Sequence, residues 1–177
     1  LRPLMEICRK HHVLVISDEI HHDFVYPGHT HYPTASLGDY DEFLITMTAP
    51  SKTFNLAALQ NSLIIIPNQA LREKYLACLI NLRFNSGNAF GYIATEAAYR
   101  EGRPWLEELL GHIYGNYCYI RDALTQHCPD IGVAPLEGTY LLWLNFSSRL
   151  HTHEEMVDFA QNQCGLAPDY GYCCLLY

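Results

Sequence analysis

The sequence lacks the patterns typical of membrane-spanning, nucleic-acid-binding and repeat proteins. No apolar run approaches 18 residues, so no membrane-spanning helix is predicted, and the first ten residues show no signal-peptide pattern. Basic residues form no cluster of more than two, and the net charge is −8, which disfavours nucleic acid as a partner because phosphate binding requires a basic surface. There is also no internal repeat and no low-complexity segment, which excludes fibrous and disordered classes of protein.

The cysteines and histidines show no spacing typical of a disulfide framework or a metal site. The seven cysteines are odd in number and form no CxxC pair, so we expect free thiols in a reducing cytoplasm. Histidines are frequent near His21 and again near His31, which raises the possibility of a bound metal ion. No HExxH or comparable helical spacing accompanies them, and we therefore predict no metal site.

The composition is that of a globular protein. Of 177 residues, 49% are apolar and 17% are charged, and this length predicts one domain or slightly more. Residues 1–10 have the pattern of an amphipathic helix that the chain enters part-way, so we expect the chain to be a piece of a longer protein.

The first half of the chain predicts an α/β core. Residues 13–16, 43–48 and 62–66 are short continuous apolar runs, typical of strands buried on both faces of a parallel sheet. Three helices should follow: one capped by Asn68, one over residues 89–100, and a long one with Pro104 in its first turn.

The composition changes after Pro129. Residues 132–134 and 139–145 predict two strands, and Thr152 with Glu155 forms a capping-box pattern that opens a helix. The resulting order, βββ-ααα-ββα, predicts an α/β domain over residues 1–128 and the first part of an α+β domain over residues 129–177.

Two polar groups stand at the ends of the first two predicted strands. Asp18 follows the first strand, and Lys52 lies four residues after the second. Ligands of open α/β sheets bind beyond the carboxyl ends of parallel strands, and neighbouring strands are only about 5 Å apart. One carboxylate and one amine could therefore face the same crevice. The alternative is that Asp18 caps the next helix while Lys52 extends into solvent.

Such a pair suits pyridoxal phosphate (PLP). A lysine amine of lowered pKa forms a Schiff base with the aldehyde of this cofactor. A carboxylate opposite the ring nitrogen keeps that nitrogen protonated, so that the ring withdraws electrons from the substrate. The adjacent Glu19 is a second candidate acid, but strand alternation favours Asp18.

Four sequence segments resemble the fold-type I PLP enzymes of the class I/II aminotransferase superfamily, most closely the cystathionine β-lyase branch of C–S lyases. They are SDEIHHDF (residues 17–24), APSKTFNLAALQ (49–60), EGTYLLWL (137–144) and APDYGY (167–172). The resemblance implies the C-terminal half of the large, mostly parallel α/β domain, followed by part of the small domain. It ends at Tyr172, since residues 173–177 match nothing expected of the family.

The resemblance implies roles for individual residues. Asp18 would pair with the pyridinium nitrogen of PLP, and Lys52 would form the Schiff base and later carry the substrate proton. Ser51 would contact the phosphate. His21 stands where many aminotransferases have a tyrosine on the 3′-oxygen of the cofactor, and the lyase branch commonly has histidine there. Gln60 replaces an arginine that aminotransferases place on the phosphate, which again favours a lyase.

The implied activity is α,β-elimination from cysteine S-conjugates, which yields a thiol, pyruvate and ammonia. The full-length enzyme would be a cytoplasmic homodimer with a small-molecule amino-acid substrate. Its glycine-bearing phosphate loop and carboxylate-binding arginine have no counterpart here, so we expect residues 1–177 alone to be inactive. Transamination, and a catalytically inactive interaction module, are the alternatives.

Overall fold

The structure is a computed structural model that describes residues 1–84 and 87–171. Its contacts divide the chain into two compact units. The first comprises Leu1–Tyr114 with Glu137–Tyr140, and the second comprises Gly115–Leu136 with the residues from Leu141 onward. The division predicted between residues 128 and 129 stays a prediction. No helix among the described residues is long and apolar enough to cross a membrane.

The first unit contains a three-stranded sheet, ordered β1 (Val15–Asp18), β2 (Leu44–Thr48) and β3 (Leu63–Ile65). The pair β1 and β2 is parallel, as expected, whereas β2 and β3 are antiparallel. The connection between β2 and β3 carries only the single helical turn α2 (Pro50–Thr53) and a 3₁₀ turn (Ala57–Leu59). Parallel neighbours require a longer crossover, usually a full helix, so this short connection accounts for the antiparallel pairing.

The expectation that the strands are buried on both faces is wrong for the described residues. Helix α1 (Arg2–Lys10) buries Met5 against Tyr40 and Leu44, which covers one face. On β1 the burial alternates, and Ile16 is 60% exposed. Continuous apolar runs are typical of strands that are covered on both faces of the sheet. The described elements, however, cover only one face of β1.

The three helices predicted after the sheet are confirmed. Helix α3 (Gln69–Asn81) begins at Asn68, whose side chain accepts a hydrogen bond from the backbone N–H of Leu71 at 3.0 Å. Helix α4 (Ala89–Glu101) follows, and Pro104 lies in the first turn of the long helix α5 (Arg103–His127).

The second unit contains a short antiparallel pair, β4 (Gly132–Val133) and β5 (Leu144–Asn145). Helix α6 (His153–Val157) begins with the predicted capping box of Thr152 and Glu155, and the chain continues as a π-helix over Asp158–Gln163. Five cysteines lie among the described residues, and all five are free. Tyr172, Cys173 and Cys174 lie outside the described residues.

Candidate functional site

The parallel strands bring the predicted acid and amine to the same edge of the sheet. Asp18 is the last residue of β1 and lies opposite Met47 of β2. Two residues after Met47 the chain leaves the strand at Ala49 and enters α2, which carries Lys52. Since parallel neighbours are about 4.8 Å apart, both groups leave adjacent strand ends in the same direction. This is the arrangement that the strand order predicted.

His21 is influenced by both charges. Burial lowers the pKa of the His21 imidazole, the Lys52 charge lowers it further, and the Asp18 carboxylate raises it in part. The net shift is downward, so the ring is neutral near pH 7. His21 is therefore close enough to both Asp18 and Lys52 for their charges to act on its ring.

Asp18 and Lys52 are both exposed side chains. The Oδ1 atom of Asp18 accepts a hydrogen bond from the backbone N–H of Ile20 at 3.1 Å. A local cap of this kind and a solvent-facing lysine also belong to the alternative interpretation of the pair. The assignment of Asp18 and Lys52 to PLP thus stays a prediction after the structure.

The two other residues discussed for the phosphate lie in and after the α2 turn. Ser51 is half-buried and precedes Lys52 in α2. Gln60 ends the following 3₁₀ turn with a φ of 50°, in the left-handed region, and its side chain is exposed. Their roles toward a phosphate are likewise predictions.

Glu19, next to Asp18, is the buried acid of this edge. Its carboxylate accepts hydrogen bonds from the Ser17 hydroxyl at 3.0 Å and from the backbone N–H of Thr34 at 2.9 Å, and it pairs with Nε2 of His31 at 3.1 Å. Burial raises the Glu19 pKa, but these hydrogen bonds and the nearby His31 outweigh burial and leave the pKa below its ordinary value. Glu19 therefore fastens the loop after β1 to the strand end.

A cavity of about 530 Å³ opens beside Asp18 and His21. One wall comes from a segment far away in sequence, because Gly138 forms an antiparallel bridge with Val25 and the backbone N–H of Thr139 donates to the oxygen of Phe24 at 3.1 Å. The residues that line the cavity are Asp18, Glu19, His21, His22, Phe24, Val25, Gly28, His29, Thr30, His31, Tyr32, Glu137, Gly138 and Thr139.

The segment Glu137–Tyr140 also places an aromatic ring on His21. The ring centroids of His21 and Tyr140 are 5.1 Å apart, and Phe24 packs edge-on against Tyr140 at 5.0 Å. Sequence reasoning noted residues 137–144 as a recognisable segment but gave Tyr140 and Thr139 no place in the site. A bridge between residues so distant in sequence has no local signal in a single sequence.

The donor set fits PLP. The edge offers an amine for the aldehyde, a carboxylate for the ring nitrogen and a hydroxyl for the phosphate, in Lys52, Asp18 and Ser51. Among the described residues, the buried Nδ1 atom of His21 has no hydrogen-bond partner. A buried polar atom of this kind is normally satisfied, and a polar ligand beside it would supply the partner. The described part of the chain contains no group of three or more His, Cys, Asp or Glu side chains that could hold a metal ion.

Comparison with known proteins places this chain in one family. The profile "Aminotransferase class I and II" matches residues 1–175, three residues beyond Tyr172, where the sequence was expected to depart from the family. Cystathionine beta-lyase PatB of Bacillus subtilis (strain 168) is 44% identical over 149 residues, which are 84% of this chain and 38% of that protein.

Two solved structures superpose closely on the chain. Cystalysin from Treponema denticola, which contains PLP, has a TM-score of 0.89 and 33% identity over 97% of this chain and 44% of its own. The PLP-bound C–S lyase from Staphylococcus hominis has a TM-score of 0.87 and 31% identity over 98% of this chain and 44% of its own. The predicted resemblance, fold class and PLP dependence of the family are confirmed, and the chain spans less than half the length of these relatives.

Proposed function

Because this chain belongs to the aminotransferase class I and II family of PLP-dependent enzymes, we propose that it is part of a carbon–sulfur β-lyase. The substrate class is the cysteine S-conjugate, cleaved with water to a thiol, pyruvate and ammonia. The convergence of Asp18 and Lys52 on His21 at one sheet edge carries this proposal. The names of the similar proteins, cystathionine beta-lyase and C–S lyase, support the choice of reaction.

Each residue of the edge has one task in this proposal. PLP, when bound, supplies an electron-withdrawing ring that weakens the bonds at the substrate Cα. Asp18 would hold the proton on the ring nitrogen, and Ser51 would bind the phosphate. Lys52 would attach the cofactor and, as a free amine, would take the proton from the substrate Cα.

His21 would hold the 3′-oxygen of the cofactor. Its lowered pKa keeps the ring neutral near pH 7, so that one nitrogen donates a hydrogen bond and the other accepts one. The rings of Phe24 and Tyr140 fix the plane of the imidazole beside the cavity. These tilted ring contacts restrict rotation of the imidazole, which favours a well-directed hydrogen bond.

We also propose a homodimer in the cytoplasm for the full-length protein. The five free cysteines of the described residues suit a reducing compartment. Sedimentation of the full-length protein tests the dimer, and a monomer that retains full activity would contradict it.

The activity is tested with the full-length protein and a thioether amino acid such as cystathionine. We expect release of pyruvate and ammonia by the wild type and by Lys74→Ala, an exposed helical lysine that serves as the control, and no release by Lys52→Ala. Transfer of the amino group to an added 2-oxo acid, without thiol release, would establish transamination instead. Neither reaction and no bound PLP would favour an inactive interaction module.

A further inference from the structure

A partly buried hydrogen bond joins the helical turn that carries Lys52 to the segment that follows Asp18. Thr53, the residue after Lys52, is fully buried, and its Oγ1 donates a hydrogen bond to Oδ2 of Asp23 at 2.8 Å. Successive residues of a helical turn point about 100° apart, so Thr53 can face inward while Lys52 faces out. The hydroxyl of Thr53 is thus the inner anchor of the lysine turn.

The other oxygen of Asp23 is held from the opposite side. Nε2 of His22 lies 3.2 Å from Oδ1 of Asp23, and Nδ1 of His22 lies 2.7 Å from the backbone oxygen of Glu19. The Thr48 hydroxyl at the end of β2 also contacts Nδ1 of His22, at 3.1 Å. The direction of the Asp23 carboxylate is therefore fixed by His22. The His22 ring is in turn held by Glu19, which follows β1, and by Thr48 at the end of β2.

The turn α2 needs such an anchor. It is four residues long, and a single turn gains too little from its own hydrogen bonds to be stable alone. It begins after the extended residue Ala49 and ends at Phe54, and the next residue, Asn55, is left-handed with a φ of 55°. The direction of Lys52 consequently depends on side-chain contacts made by its neighbours, and the contact of Thr53 with the Asp23 carboxylate is partly buried.

We propose that Asp23 is a positioning residue, which holds Lys52 at the cofactor through Thr53. This inference depends on the proposed role of Lys52 as the residue that attaches PLP. It assigns to Asp23 and Thr53 the task of setting the distance and direction of the lysine amine relative to Asp18 and His21. A reacting amine must be held close to the geometry that its reaction requires. Loss of the hydrogen bond between Thr53 and Asp23 should therefore lower the affinity for PLP beyond any effect on the free energy of unfolding.

The test is a PLP titration of the full-length protein, followed at the absorbance band that Lys52→Ala lacks. We expect Thr53→Val to weaken PLP attachment about tenfold, because a partly buried hydrogen bond to a carboxylate is lost, and Asp23→Ala to act similarly. Thr53→Ser, which keeps the hydroxyl, should stay within about twofold of the wild type. The combined variant Asp23→Ala/Thr53→Val should be no weaker than the worse single variant, because both remove one contact.

A matched control separates positioning from stability. Thr95 is a half-buried threonine whose hydroxyl donates to the Gly91 oxygen at 2.7 Å within α4. We expect Thr95→Val to lower the urea midpoint of the cofactor-free protein as much as Thr53→Val does, while leaving PLP attachment unchanged.

Three outcomes overturn the inference. Wild-type PLP attachment in Thr53→Val would overturn it and leave the proposed function intact, as would a Thr53→Ser variant no better than Thr53→Val. If the wild type shows no Lys52-dependent band at all, the proposed function fails and this inference fails with it.

Discussion

The residues after β1 and the residues after β2 form the same sheet edge, yet they are held very differently. After β1, the buried Glu19 carboxylate binds a hydroxyl, a backbone N–H and an imidazole. The loop that begins there is therefore held at several points. After β2, the exposed Lys52 lies on a single turn in which Pro50 and Thr53 are buried, and Thr53 is the inner anchor. This edge of the sheet is thus held by several polar contacts on its acid side, whereas on its amine side the side-chain hydrogen bond from the turn is the one that Thr53 makes to Asp23.

The adjacent acids Asp18 and Glu19 show the same division on a smaller scale. Strand alternation places Glu19 inward, where it is 9% exposed, and Asp18 outward toward the edge of the cavity. A buried carboxylate with three partners serves the fold, because its desolvation is offset by fixed hydrogen bonds. An exposed carboxylate at a cavity remains available to a ligand.

The largest expected difference is in the free energy of unfolding when each of these two acids is replaced by alanine. Glu19→Ala should lower the free energy of unfolding by about 3 kcal/mol, because it removes three partners and leaves the Thr34 N–H unsatisfied. Asp18→Ala should cost only about 1 kcal/mol, since Asp18 caps a single backbone N–H. Urea denaturation measures both, and equal losses would remove the distinction between a structural and a ligand-facing acid.

The pH dependence of stability should report the same carboxylate. The folded-state pKa of Glu19 lies below its ordinary value, so its contribution is fully present above about pH 4.3 and is lost as the pH falls through the folded-state pKa. Glu19→Gln should therefore flatten the loss of stability in this acidic range. Denaturation curves recorded between pH 3 and 6 check this, and an unchanged slope in Glu19→Gln would contradict it.

On the β2 side, a smaller effect is expected at Asn55. This residue lies two positions after the α2 turn and has a φ of 55°, a conformation that asparagine tolerates and glycine adopts freely. Asn55→Ala should cost about 1 kcal/mol, whereas Asn55→Gly should be close to neutral. Equal costs for both substitutions in urea denaturation would mean that the Asn55 side chain, and not its backbone, holds the turn.

The smallest predicted change is also the most local. NMR titration of His21 should give a pKa below the ordinary value of histidine, because of burial and of Lys52. In Lys52→Met this pKa should rise, and in Asp18→Asn it should fall, since the two charges act in opposite directions on the ring. A His21 pKa that responds to only one of these substitutions would place the other residue away from the cavity.

Local rules predicted much of this molecule. The helix starts at Asn68 and Thr152 follow from side chains that cap the next few backbone N–H groups, and the short apolar runs predict where the strands lie. The shared position of Asp18 and Lys52 follows from parallel strand ends alone. Each of these features depends on residues close in sequence or on a general property of sheets.

The remaining features depend on contacts that a single sequence does not encode locally. The antiparallel direction of β3 depends on how compactly residues 49–62 fold back, and the wall formed by Gly138 and Thr139 depends on a bridge to Val25. The contact of Thr53 with Asp23 joins residues thirty positions apart. The inner anchor of the lysine turn was therefore not predicted.

The central claim is that Lys52 is the amine that receives PLP, and the chain permits a direct measurement. It contains three lysines, Lys10 in α1, Lys52 in α2 and Lys74 in α3. The full-length protein is saturated with PLP, reduced with borohydride and digested, and the modified lysine is identified by mass spectrometry. The account predicts modification at Lys52, lost in Lys52→Ala and retained in Lys10→Ala and Lys74→Ala; modification that persists in Lys52→Ala would contradict it.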